Sequence, residues 1–141
     1  MGEKYDALRN RLNDIATVNS TIWTLNWDTQ TQMPEGGFSN RSKQMQVLSR
    51  MVFEQFTDEK TRQLIDAAAA EVEGEDADGN TARTVFHARR DYDNATKLNP
   101  AFVSEMSALA TIGQQKWQAA RAQKDFSIFQ PTLEKIVAMK L

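Results

Sequence analysis

The sequence predicts an all-α fold, a helical bundle of about six helices with long first and fifth members. Three observations carry this expectation. Apolar residues recur three or four apart through most of the chain, which gathers them into stripes along helices. No stretch combines sustained apolar–polar alternation with β-branched enrichment, so no strand is expected. Helix start and stop signals punctuate the periodic segments.

The first helix carries Tyr5, Leu8, Leu12, Ile15, Val18, Ile22 and Leu25 on one stripe, flanked by Trp23 and Trp27. It must stop by Met33-Pro34-Glu35-Gly36-Gly37, because proline disfavours helical geometry in the residue before it and glycine relaxes the chain into a turn. A second helix presents Met45, Leu48, Val52 and Phe56. Thr57-Asp58-Glu59 supplies a capping residue and acids suited to the positive end of a third helix, whose buried line is Leu64, Ala68 and Val72. Gly74 to Asn80 reads as a loop, and a fourth helix follows with Val85, Ala88, Tyr92 and Ala95. Asn99-Pro100 marks a restart, with proline at the first helical position. The fifth helix is lined by Phe102, Met106, Leu109, Trp117 and Ala120. A last helix begins near Pro131 and shows Leu133, Ile136 and Val137. Trp23, Trp27 and Trp117 are expected to be core anchors, the alternative being rings that stack on a ligand, with Trp27 packed near the corner at Met33-Pro34.

The chain has 141 residues, which fits a single helical domain over 1–141. With 40% hydrophobic and 26% charged residues it can bury a core, so wholesale disorder is not expected. A net charge of -2 with acids and bases interspersed argues against nucleic acid as a partner. The longest apolar runs are too short to span a bilayer, so no membrane partner is expected. The start lacks the apolar run of a secretion signal, and Asp6 stands where a myristoylation motif needs serine or threonine. No cysteine is present, which excludes disulfides, thiol nucleophiles and cysteine-ligated metals and fits a cytoplasmic location. The helical pattern continues to Leu141 without a stop signal, which suggests part of a longer protein.

No catalytic, metal or cofactor-binding constellation is found. His87 is the only histidine, whereas an H-E-x-x-H zinc site needs two, one helical turn apart. Thr84 precedes it by three residues, so half of a di-iron Glu-x-x-His pair is also missing. The acids Glu71, Glu73, Glu75, Asp76 and Asp78 fail as a calcium loop. With Gly79 on the invariant glycine, Gly74 and Val85 occupy the first and last ligand positions. A solvated acidic loop is the expectation there. No serine or threonine lies in a nucleophile-elbow pattern, and Gly36-Gly37 is too short to cradle phosphate.

Three stretches together resemble one family. They are Trp27-Asp28-x-x-Thr31-x-Met33-Pro34-x-Gly36-Gly37; Tyr92-x-x-Ala95-Thr96-Lys97-Leu98; and Trp117-x-x-Ala120-Arg121-x-x-x-Asp125-Phe126-x-x-Phe129-x-Pro131-x-Leu133-Glu134-Lys135-Ile136-Val137. In this order they are similar to the start of the Taq-type thermostable carboxypeptidases, metal-dependent enzymes that remove residues from peptide carboxyl ends. Asn99 before Pro100, and Phe53-Glu54 where the family commonly has His-Glu, are departures. The resemblance implies a mostly helical enzyme with a deep cleft, whose H-E-x-x-H helix and later glutamate hold zinc or a similar divalent ion. That machinery lies downstream of the matched region, so no catalytic residue carries over, and the chain is expected to be inactive and metal-free by itself. What carries over is a wall or lid of the peptide-binding cleft, with Met33 to Gly37 as a structural corner. The alternative is a stand-alone helical interaction module derived from such a domain. Expected partners are the missing catalytic portion or a second copy. The apolar residues crowding the last helix, Leu133, Ile136, Val137, Met139 and Leu141, suggest a homo-oligomer.

Overall fold

The computed structural model describes residues 2–140. Among them are six α-helices: α1 (Glu3–Thr31), α2 (Phe38–Thr57), α3 (Glu59–Glu71), α4 (Asn80–Ala95), α5 (Pro100–Gln123) and α6 (Gln130–Lys140). Short 3-10 turns occupy Glu35–Gly37 and Phe126–Ile128, and no strand occurs among the described residues. The all-α expectation therefore holds, with α1 long at 29 residues and α5 at 24. The boundaries follow the local chemistry. Asp58 caps α3 by accepting the Thr61 amide at 2.7 Å, and Pro100 opens α5.

The helices divide into two compact units. The first comprises Met1–Val18 with Met51–Asn99, the second Asn19–Arg50 with Pro100–Leu141.

The first unit holds a contiguous core of Tyr5, Leu8, Ile65, Ala68, Val85, Ala88 and Tyr92. The α1 and α4 stripes supply the residues their spacing predicts. On α3 Ala68 is fully enclosed as its spacing predicts, but its buried companions are Thr61 and Ile65 rather than Leu64 and Val72, which are only half-buried. A threonine can occupy that place because its hydroxyl is satisfied. It donates to the Gln55 carbonyl at 2.7 Å and accepts from Arg11 Nε at 3.2 Å. The same guanidinium reaches the Gln55 carbonyl at 2.9 Å and the Asp58 carboxylate at 2.6 Å, tying α1 to the α2–α3 corner. Glu71 belongs to this framework and not to the solvated acidic run in which the sequence places it. Its carboxylate accepts the amides of Lys4 at 3.2 Å and Tyr5 at 2.8 Å, so a side chain from α3 caps α1. Gly2 makes this approach possible, since a Cβ there would lie 2.0 Å from Glu71 Cδ.

The second unit is built differently. On α5 the buried residues are Ser104, Thr111, Gly113 and Ala120, so of the predicted line only Ala120 is enclosed. Phe102, Met106 and Leu109 are half-buried. Small residues let the backbones approach, and hydroxyls fill the seam with α2. Ser42 Oγ donates to the Ala108 carbonyl and Ser107 Oγ to the Met45 carbonyl, each at 3.2 Å, while Ser49 and Ser107 share a hydrogen bond of 2.8 Å. Gly113 does the same toward α6, lying against Phe129, Thr132 and Ile136. On α6, Leu133, Ile136 and Met139 are half-buried and Val137 is 47% exposed, while Leu141 lies outside the described residues.

Candidate functional site

Of the three stretches that stand out in the sequence, Tyr92 to Leu98 ends α4 in the first unit, and the other two fall at corners of the second. At the first corner, α1 ends on Trp27 to Thr31. The amides of Gln32 and Met33 both donate to the Asp28 carbonyl, at 3.0 and 2.9 Å, which winds the last turn wider. Thr31 Oγ1 donates to the Trp27 carbonyl at 2.9 Å. Pro34 then leaves helical geometry, and the Gly37 amide closes the turn on the Pro34 carbonyl at 2.8 Å. Gly37 also gives way to a side chain, because a Cβ there would meet Met33 Cγ at 2.8 Å; Gly36 faces open space.

Asp28 sits near the negative end of the α1 dipole, where an acid is unfavourable, and α1 has no base of its own in its last turn. Arg41 of α2 resolves this. Its guanidinium bonds the Asp28 carboxylate at 2.6 Å, Thr29 Oγ1 at 2.7 Å and the Leu25 carbonyl. The Arg41 side chain is only 11% exposed, so these partners replace the water it has lost. Sequence reading found Asp28 but neither Arg41 nor Thr29. A lone acid on an otherwise uncharged helix end was the available signal that a base must fold back onto it.

At the second corner α5 ends in a left-handed residue, Lys124 with φ 55°. The Asp125 amide reaches back to the Ala120 carbonyl at 2.9 Å, and the Lys124 amide to Arg121 at 3.3 Å, a Schellman closure without glycine. Asp125 then caps the following turn, accepting from the Ser127 amide at 3.0 Å and hydroxyl at 2.7 Å. Those two bonds hold the Asp125 carboxyl below its ordinary range. Phe126 and Phe129 meet edge to face, with ring centres 6.3 Å apart, and Pro131 lies in the first turn of α6. Arg121 stacks over the Trp117 ring at 5.3 Å.

The two corners border one groove, lined by Glu35 and Phe38 from the first side and Gln118, Ala122 and Gln123 from the second. Neither Trp27 nor Trp117 lines it. The expectation that these rings anchor the core is overturned: Trp23, Trp27 and Trp117 are 68%, 62% and 45% exposed. The reason is rotational. Trp23 and Trp27 lie on the side of α1 opposite Leu25 and Thr29, the residues that turn inward. An apolar stripe widened by two tryptophans points in two directions, and a single unit can cover only one.

Chemically, these corners hold helices in place; they do not assemble acids, bases or nucleophiles. Among the described residues no three His, Cys, Asp or Glu side chains converge in a way that could hold a metal ion. His87 is half-buried and packs edge to face on Phe86, with ring centres 5.5 Å apart. Among the described residues no helix is long and apolar enough to cross a membrane.

Comparison with known proteins gives a consistent result. The family described as carboxypeptidase Taq (M32) metallopeptidase matches residues 7–141. Carboxypeptidase 1 of Bacillus subtilis is 26% identical over 126 residues, which are 89% of this chain and 25% of that protein. Thermostable carboxypeptidase 1 of Pyrococcus furiosus is 27% identical over 115 residues, 82% of this chain and 22% of that protein. Among solved structures, one titled "BsuCP Crystal Structure" superposes with a TM-score of 0.90 at 24% identity, covering 98% of this chain and 27% of that one. "The Structure of CHT" gives 0.67 at 28% identity, with 99% and 28% covered. The chain thus spans about a quarter of the length of the relatives it matches.

Proposed function

The chain belongs to the carboxypeptidase Taq (M32) metallopeptidase family, and from that membership we propose that it is the non-catalytic, amino-terminal helical region of a metal-dependent carboxypeptidase, forming a wall or lid of its peptide-binding cleft. The observation that carries this reading is the mismatch of lengths. The match runs over nearly all of this chain but only about a quarter of its relatives. A metallopeptidase family implies a metal in its full-length members, and the side chains described here do not fit one. The metal, zinc or a similar divalent ion, and the water it activates therefore belong to the remainder of the enzyme. The contribution of this chain is rigid helical surface. Arg41 fixes the α1–α2 corner, and the hydroxyl seam fixes α2 against α5.

Two measurements test the reading. The purified chain, with and without added zinc, should release no carboxyl-terminal residue from peptides; turnover abolished by a chelator would overturn the proposal. The reading frame beyond the Leu141 codon should encode H-E-x-x-H. A stop codon directly after it would favour the rival, a stand-alone helical interaction module. Two aromatic residues as exposed as Trp23 and Trp27 suit that rival as well, since tryptophan is enriched where proteins bind one another.

A further inference from the structure

The solvent face of α1 within the second unit combines two exposed tryptophans with uncharged polar residues. Trp23 and Trp27 lie one turn apart on it and are 68% and 62% exposed. The segment Asn19 to Thr31 has a single charged residue, Asp28, and Arg41 neutralises it. The half of α1 before it carries Glu3, Lys4, Asp6, Arg9, Arg11 and Asp14. Depletion of charge around exposed tryptophan is the compositional mark of a buried contact centre. The threonines beside the rings point the same way. Thr24 Oγ1 donates to the Ser20 carbonyl at 3.1 Å and Thr31 Oγ1 to the Trp27 carbonyl at 2.9 Å. Both hydroxyl protons are already donated within the helix, so covering the face leaves no hydroxyl donor without a partner.

We infer that the Trp23–Trp27 face of α1 is the docking surface for the metal-binding remainder of an M32 carboxypeptidase. The inference rests on the reading of this chain as one part of such an enzyme and adds the residues that join the parts. The greater length of the relatives identifies the occupant. In the Bacillus subtilis relative the match covers 25% of the protein, leaving about three-quarters of it without a counterpart here. The chemistry describes the occupant further. It offers an apolar surface with few charges, and carbonyl or side-chain oxygens for the two indole N–H groups, which can only donate. Trp117 is not part of this surface, because it sits on another helix and is engaged by Arg121.

The test uses the whole chain carrying Trp117→Phe, so that only Trp23 and Trp27 emit. The probe is the Bacillus subtilis carboxypeptidase with its matched quarter removed, accepted only if it rebinds that quarter supplied separately. Both tryptophans should be quenched by acrylamide in the chain alone and protected when the probe is added. Trp23→Ala with Trp27→Ala, checked for an unchanged helical spectrum, should weaken capture by about tenfold or more. If the chain binds and the double variant binds equally well, the surface is wrong while the role in a carboxypeptidase stands. If the chain fails to bind a competent probe, both ideas fall. Protection that grows with the concentration of the chain alone would show a second copy on this face and overturn the assigned occupant.

Discussion

Single residues decide the corners. Gly36 and Gly37 are neighbours in one turn, yet only Gly37 has a side chain pressed against it. Gly37→Ala should cost about 1–3 kcal/mol, the usual range for forcing extra volume into a filled space. Gly36→Ala should change stability by no more than about 0.5 kcal/mol. Urea unfolding of the two variants checks the contrast, and equal effects would mean that Met33 does not pack on Gly37. Tyr92 makes a prediction in pH. The residue is buried, and its part-buried hydroxyl donates to the Thr57 carbonyl at 3.2 Å. Burial first, and then the negative field of Glu59, raise its phenol above the ordinary 10.0. The folded state therefore holds this proton longer than the unfolded chain does. The stabilisation is fully present below about pH 10 and is lost as pH climbs through the raised value. Alkaline unfolding should coincide with late ionisation of Tyr92, read from tyrosinate absorbance, and Tyr92→Phe should remove that dependence. Early ionisation, before any loss of helix, would contradict it.

At the scale of an element, α1 serves two purposes along one length. Leu8 in the first unit is fully enclosed, whereas Trp27 in the second is largely in water. Size alone would rank the tryptophan as the greater loss. The structure reverses that order. Leu8→Ala should cost about 2–5 kcal/mol by leaving a cavity, and Trp27→Ala less than about 1 kcal/mol in the chain alone. Chemical denaturation of both variants measures this, and a Trp27→Ala cost equal to that of Leu8→Ala would place the ring in a core. Helix positions were legible from spacing and punctuation because those signals are local. The buried lines of α3 and α5 were legible only at Ala68 and Ala120, because Thr61, Ser104 and Thr111 are enclosed through hydrogen bonding and close approach, to which apolar periodicity is blind.

The whole molecule distributes its apolar surface unevenly. The core cluster lies in the first unit, while all three tryptophans lie exposed in the second. On α6, Leu133, Val137 and Ala138 join Phe126 in an apolar groove, with Phe126 59% exposed. This supports the proposal that the chain associates with a second copy through its last helix, since burial is worth roughly 25 cal/mol per Å² once association entropy is overcome. Sedimentation at several concentrations should show a dimer or larger species for the full chain and a smaller one for a chain cut before Pro131. A strictly monomeric full chain at high micromolar concentration would count against that interface.

The sequence by itself determined the all-α class, the six helices with their turns, and the family. Each of these is written in short-range order: the period of apolar residues, the caps and prolines, and motif residues in a fixed succession. Spacing also gave the inward faces of α4 and of the first half of α1, but only the tertiary structure decided which faces turn inward on α3, on α5 and at the end of α1. Arg41 reaching Asp28 joins two consecutive helices and Glu71 capping α1 joins residues far apart in the chain, and no apolar period pairs either. The tryptophans show the same limit from the other side. Spacing can say that Trp23 and Trp27 share a helix face, but burial is a relation between elements, and within this chain that face is left to the solvent.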